Sequence, residues 1–161
     1  MTRAVIAFGA NLGDREATIA SATRAIAEPD GVELVAVSPV YETAAVRPAG
    51  VDPEAPRYLN GVIVVETTLA PHALLDLLQR VESEHGRTRE TRWGDRTLDL
   101  DLIDHGGARV ADDRLVLPHP RAWERAFVLQ PWLDVDPDAE LPGRGRVADL
   151  RAQADDEVVR R

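Results

Sequence analysis

Arg87, Arg89, Arg92 and Arg96 fall within ten residues of an otherwise acidic chain, and Asp99 and Asp101 follow at once with one leucine between them. Guanidinium forks bind phosphate oxygens bidentately. Paired carboxylates hold magnesium, which keeps several waters and takes phosphate oxygens as its remaining ligands. Cationic donors beside such a carboxylate pair suit a polyphosphate, so the segment reads as a nucleoside-triphosphate site. If Leu98 to His105 is a strand, Leu98, Leu100 and Leu102 point one way and Asp99, Asp101 and Ile103 the other. The two aspartates then stand roughly 7 Å apart on one face. Asp104 falls on the leucine face by the same parity and is left out of the site.

Each feature has a plainer reading. A bare Asp-x-Asp is more often a solvated strand face, and a run of arginines is more often an exposed loop. Trp93 amid the arginines argues against the second, because an indole in a polar loop needs a partner. Gly86 and Gly94 bracket the loop and could hinge its closure over ATP. Tyr58 and Asn60 share a strand face and could stack on and hydrogen-bond a flat heterocycle, although a strand-start tyrosine and asparagine need no ligand to explain them. His119, between two prolines, reads equally as a phosphate donor or a turn residue. His72 and His85 sit at the ends of one helix, where capping and the helix dipole explain them better than metal ligation.

These side chains need elements to place them. Residues 3–9 read as a buried first strand, Asp14 as the N-cap of a helix running to about residue 27 with Ile19, Thr23 and Ile26 on one stripe, and residues 32–43 as a second strand bent at Pro39. Residues 44–57 read as a proline-rich loop. Tyr58 to Thr67 alternate as a third strand, with Tyr58, Asn60, Val62 and Val64 on one face. A helix opening at Pro71 carries Leu74, Leu75, Leu78 and Val81 and stops at Gly86. Beyond the Asp-x-Asp strand come a Gly106-Gly107 turn, an extended piece at Leu115–Leu117, an apolar helical piece around Phe127–Leu133 and a polar tail. The order β-α-β-β-α-β reads as a ferredoxin-like α+β sandwich, an antiparallel sheet with helices packed on one face and the other free for ligand.

The chain has 161 residues, enough for one domain with a full core, and the expectation is a single domain over 1–161 with the tail from about 143 weakly assigned. A net charge of −9 argues against non-specific binding to nucleic acid or anionic membranes. There is no cysteine, which excludes thiolate metal sites and disulfides. All 19 cationic residues are arginine, so a lysine-bearing phosphate loop is excluded. The opening apolar run is too short for a signal peptide and no run reaches the length of a membrane span. The expectation is a cytoplasmic monomer working on small molecules.

Several segments together resemble the hydroxymethyl-dihydropterin pyrophosphokinase family of folate biosynthesis. They are Ala7-Phe-Gly-Ala-Asn-Leu-Gly13, Ser38-Pro-Val-Tyr-Glu-Thr43, Tyr58-Leu-Asn60, Gln79-Arg-Val-Glu82 with Gly86-Arg87, Arg92-Trp-Gly-Asp-Arg-Thr-Leu-Asp-Leu-Asp-Leu-Ile103, and Pro118-His119 followed by Arg125-Ala-Phe127. The resemblance implies transfer of the β,γ-pyrophosphate of ATP to the pterin's hydroxymethyl group, with release of AMP. It implies that Asp99 and Asp101 bind two magnesium ions and that Arg87, Arg96, His119 and Arg125 engage the phosphates. Arg89 and Trp93 would belong to the closing loop, and Gln79, Glu82, Leu102 and Arg114 would lie around the nucleotide. Tyr58 and Phe127 would sandwich the pterin, with Asn60, Thr43 and the backbone near Val46 reading its edge. The chain departs from the family's pattern at Ala44-Ala45, Asp95, Val116 and Pro120.

Two rivals differ in class. A nucleotidyltransferase or nuclease built on the Asp-x-Asp pair would leave Tyr58 and Phe127 without a role. An RNA-binding module of the same fold would carry aromatics in a basic Lys/Arg-Gly-Phe strand, which this chain lacks.

Overall fold

The computed structural model describes residues 1–11, 13–47, 50–52, 57–86 and 97–161. Its frame is an antiparallel sheet. Strand β1 (Thr2–Ala10) leads to helix α1 (Arg15–Ala27), and β2 (Val32–Val37) and β3 (Tyr41–Thr43) follow. A small hairpin, β4 (Ala45–Arg47) with β5 (Gly50–Asp52), precedes β6 (Tyr58–Thr67), α2 (Pro71–Glu84) and β7 (Asp99–His105). The segment expected as loop therefore contains paired strand, Val46 opposite Val51.

The strand expected to bend at Pro39 does so. Both β2 and β3 pair with β6, so the spatial order is β3-β6-β1-β7 with β2 beside the far end of β6. Ser38 bridges the break. Its N–H donates to the Val62 carbonyl and its hydroxyl oxygen accepts the Val62 N–H at 2.8 Å, so the ladder continues where Pro39 has no donor to give. Asp14 caps α1, accepting from Ala17 N–H at 3.1 Å. Gly86 follows α2 at φ +77, the left-handed conformation that ends a helix at little cost only for glycine.

The alternation of β6 and β7 separates two cores. Ile6, Phe8, Leu59, Ile63, Leu100 and Leu102 pack with Ile19 and Ile26 of α1 and Leu74, Leu78 and Val81 of α2. Val5, Ala7, Val62, Val64 and Ile103 pack on the opposite face against the C-terminal part of the chain. Helices α1 and α2 thus share one face, as the β-α-β-β-α-β pattern implies.

The opposite face is not left open. After the short pair β8 (Val110–Ala111) and β9 (Val116–Leu117) and a 3-10 turn at Ala122–Glu124 comes α3 (Ala126–Val135), with Val128, Leu129 and Trp132 buried. The tail is ordered structure too: β10 (Glu140–Leu141), β11 (Gly145–Arg146), α4 (Val147–Gln153) and β12 (Val159–Arg160). Val147 and Leu150 of α4 join the second core, and β12 pairs with β3, Val159 opposite Glu42. Among the described residues no helix is long and apolar enough to cross a membrane.

The parity expected for Asp104 fails. The β1–β7 register shifts between Val5 and Ile6, so Leu102 faces Ile6 while Asp104 faces Val5. That bulge inserts one residue and returns Asp104 to the face of Val5, away from the leucines. Burial raises the Asp104 carboxyl above its ordinary range, against the pull of the Gly107 and His105 N–H groups.

Candidate active site

A cavity of about 790 Å³ opens on the sheet face opposite α1 and α2. That size lies within the usual range for a small-molecule site. Its lining draws Thr43 from β3, Tyr58 and Asn60 from β6, Asp99 and Asp101 from β7, and Arg125 and Phe127 from the start of α3. Strand periodicity explains the first part of this convergence. Tyr58 and Asn60 share a face of β6, Asp99 and Asp101 share a face of β7, and β1 lies between those strands with Ala7 opposite both Asp101 and Val62. Asp101 is exposed and Asp99 half-buried.

The floor is tight where β1 crosses. Gly9 pairs with Asn60 on one side and Asp99 on the other. A methyl group at Gly9 would come within 3.1 Å of the Asn60 Nδ2 and 3.5 Å of the Tyr58 ring. Asn60 is buried, and the Thr43 hydroxyl donates to its Oδ1 at 2.6 Å. That bond fixes which end of the amide is the acceptor.

The cationic side is built by the chain after β9. Arg125 is half-buried, its guanidinium 5.5 Å from the Phe127 ring centroid. Burial, then the neighbouring Arg121, lowers its pKa, while Asp101, Glu124 and Asp156 oppose the shift. His119 lines an adjoining cavity with Pro118 and Pro120 and not this one; it is tied to β7, its N–H donating to the Ile103 carbonyl at 2.9 Å. Burial pushes its imidazole below the ordinary range; Asp101 pulls the other way, and Arg125 and Arg121 add to the lowering. The Arg121 N–H donates to His119 Nδ1 at 3.2 Å, which leaves Nε2 to carry the proton of the neutral ring.

The remaining expected residues lie elsewhere. Gln79 and Arg114 are brought together on the outer flank of α2, where the Arg114 guanidinium donates to the Gln79 Oε1 at 3.3 Å and to the Asp76 carboxylate. Glu82 is buried and its carboxylate accepts the Leu100 N–H at 2.9 Å, so it anchors β7 to α2. Leu102 is a core residue at 3% exposure. His85 also has an internal role, its Nδ1–H donating to the Val81 carbonyl while Nε2 meets the Ser21 hydroxyl. Arg87, Arg89, Arg92, Trp93 and Arg96 lie outside the described residues, and at Val46 only the backbone is described.

The cavity also uses residues that the sequence patterns did not suggest: Arg121, Trp123 and Glu124 of the 3-10 segment, and Leu150, Gln153, Ala154, Asp155 and Asp156 of the tail. The available signal was slight, a pair of apolar residues three apart (Val147, Leu150) within a polar segment.

Fold and cavity together define a class: a ferredoxin-like α+β protein with carboxylates, guanidinium groups and aromatic rings converging on one sheet face. Comparison with known proteins narrows it. The family model described as 7,8-dihydro-6-hydroxymethylpterin-pyrophosphokinase (HPPK) matches residues 5–137. The chain is 41% identical over 159 residues to the 2-amino-4-hydroxy-6-hydroxymethyldihydropteridine pyrophosphokinase of Pseudomonas aeruginosa, covering 99% of this chain and 96% of the relative. It is 45% identical over 157 residues to the enzyme of the same name from Mycobacterium leprae, covering 91% and 78%. A Plasmodium falciparum HPPK-DHPS structure superposes with a TM-score of 0.70 at 12% identity over 94% of this chain and 45% of that one, a likeness of fold. The chain belongs to the 7,8-dihydro-6-hydroxymethylpterin-pyrophosphokinase family.

Proposed function

We propose that the cleft over Asp99 and Asp101 is where this pyrophosphokinase moves the β,γ-pyrophosphate of ATP to the hydroxymethyl group of 6-hydroxymethyl-7,8-dihydropterin, releasing AMP, a step of folate biosynthesis. One observation carries the placement. Thr43, Tyr58, Asn60, Asp99, Asp101, Arg125 and Phe127, from four separate elements, line a single cavity.

In this reading Tyr58 and Phe127 bind the pterin ring through their π faces, while Asn60, held by Thr43, and the backbone near Val46 read its polar edge. Arg125 and the Nε2–H of His119 receive phosphate oxygens, joined by Arg87 and Arg96 from the arginine-rich segment, with Arg89 and Trp93 closing over the bound substrates. Gln79 and Arg114 receive the nucleoside, Leu102 contributing only backbone. A nucleotide touching both sets passes β7, which among the described residues stands at the end of the sheet beside β1.

Asp99 and Asp101 would hold magnesium, two ions in all. The described residues contain no cage of three or more carboxylate or imidazole ligands, so the pair fits a metal whose shell is completed by substrate phosphates and water, the habit of magnesium. When bound, the ions supply charge neutralisation to the attacking and leaving oxygens. The chain's own contribution is positioning and preorganised charge. Tyr58 and Phe127 fix the hydroxymethyl group, and Arg125 and His119 donate to oxygens on which charge grows as the bond to AMP breaks. All 161 residues are read as one domain, working as a cytoplasmic monomer on two small molecules, without nucleic acid or membrane.

Product analysis tests the reaction. Purified protein with ATP, magnesium and 6-hydroxymethyl-7,8-dihydropterin should yield AMP and the pterin diphosphate in equal amounts. Formation of ADP, or pterin-independent breakdown of ATP, would remove this reading.

A further inference from the structure

We infer that the C-terminal tail is part of the catalytic cleft and that Asp156 is a positioning residue for the pterin-binding aromatic Phe127. Asp156 lies beyond residues 5–137, the segment that the family model matches. Helix α3 begins without a side-chain cap of its own, because the residue at its N-cap position is Arg125. Its first free donor is satisfied from thirty residues downstream: the Asp156 Oδ1 accepts the Ala126 N–H at 2.9 Å. A carboxylate there also meets the positive end of the helix dipole. Ala126 stands between Arg125 and Phe127, and all of Arg125, Phe127 and Asp156 line the same cavity.

The tail is held at both ends, so it can act as a strap. On one side Arg151 of α4 donates to Gln130 of α3 at 2.9 Å. On the other, β12 pairs with β3, and the Arg161 guanidinium bridges Glu42 and Glu16. Strand β3 carries Thr43, which orients Asn60. The strap therefore joins the two walls of the cleft, the α3 wall with Phe127 and the β3 wall with Thr43. Loss of the Asp156 acceptor leaves the Ala126 N–H unpaired and lets the first turn of α3, with Phe127 on it, relax away from the ring it should contact.

This inference rests on the pterin reading of the cleft. Steady-state kinetics of Asp156→Ala, Asp156→Asn and Glu157→Ala, run in the cold with folding checked by circular dichroism, separate the two. If wild-type protein does not pyrophosphorylate the pterin, the reading of the cleft fails. If wild type is active, Asp156→Ala should raise KM for the pterin roughly tenfold and change KM for ATP by a clearly smaller factor, the part that its charge beside Arg125 contributes. Asp156→Asn, which keeps the carbonyl acceptor and is an equally good cap, should stay within twofold of wild type in both. Glu157→Ala removes the same charge from the neighbouring position, exposed like Asp156 itself, and should change nothing. Asp156→Ser, whose acceptor sits on a shorter side chain and reaches less far toward the Ala126 N–H, should give an intermediate rise and takes the place of the alanine variant if that variant does not fold. An unchanged pterin KM in Asp156→Ala, an equal loss in Asp156→Asn, or parallel changes in both KM values would overturn the positioning role.

Discussion

The Glu82 carboxylate on α2 accepts the backbone N–H of Leu100 on β7 at 2.9 Å. Leu100 is the residue between the two cleft aspartates, and among the described residues β7 stands at the end of the sheet, beside β1. On the edge of β7 away from β1, a buried carboxylate from the helix accepts the N–H that a strand partner would take. Glu82→Ala should therefore cost about 1–3 kcal/mol in urea denaturation, the penalty of leaving a buried N–H unpaired. It should also lower kcat, because the strand that carries Asp99 and Asp101 loses its anchor. Unchanged stability in that variant would mean that the bond contributes nothing to holding β7.

Asp101→Ala should abolish turnover with little change in melting temperature. The side chain is exposed on the cleft face and removes no core contact. A loss of roughly a thousandfold in kcat corresponds to about 4 kcal/mol of transition-state stabilisation, a reasonable share for a carboxylate that holds a catalytic metal. Asp99→Ala should behave alike in turnover. Activity that persists in either variant at saturating magnesium would discard the metal assignment, and a collapsed thermal transition would show that the residue serves the fold.

Phe127→Ala and Tyr58→Ala should each raise KM for the pterin about tenfold or more while leaving KM for ATP near its wild-type value, since aromatic stacking is worth about 1–3 kcal/mol per ring. Thr43→Val should raise the same constant by a smaller factor, because it removes the hydroxyl that donates to Asn60 at 2.6 Å. Equal effects on both substrates would show that these residues do not define a pterin subsite.

Asp104→Asn should stabilise the protein near neutral pH. Burial raises the Asp104 carboxyl in the folded state above its ordinary value, so folding favours the protonated form. Its contribution is fully present below the unfolded pKa and is lost as pH rises through the folded one. At pH 7 the wild-type charge is a cost that asparagine avoids while keeping an Oδ1 to accept the Gly107 N–H, a bond of 3.2 Å in the wild type. The gain in urea midpoint should shrink as pH falls toward 4. A gain independent of pH would assign the effect to something other than ionisation.

Tyr41 gives the opposite end of the pH scale. Burial first, then the hydrogen bond to Asp134 and that residue's charge, push its phenol up to about 12. The proton is therefore held more tightly in the folded chain than in the unfolded one, where the phenol titrates near 10. Stability should be complete below pH 10 and fall between about 10 and 12, and Tyr41→Phe should remove that alkaline loss. The same slope in both proteins would clear Tyr41 of any part in it.

What the sequence determined by itself was everything with a regular period or a local rule. Two-residue alternation placed Asp99 with Asp101 and Tyr58 with Asn60, because each strand face repeats every second residue whatever lies around it. Asp14, Pro71 and Gly86 marked helix ends through chemistry internal to the helix, and Pro39 marked the bend. Tertiary structure decided what depends on partners distant along the chain. The bulge beside Ile103 reversed the parity of Asp104, because register is set between strands. Glu82 turned inward because α2 lies against β7, a packing no window of sequence contains, whereas Leu102 keeps the face that alternation gave it. Short α4 and β12 had too few residues to show a period, and they gained their form from docking onto α3 and β3. Asp156 acquired a partner only when that docking set its carboxylate against the start of α3, thirty residues away in the chain and 2.9 Å away in space.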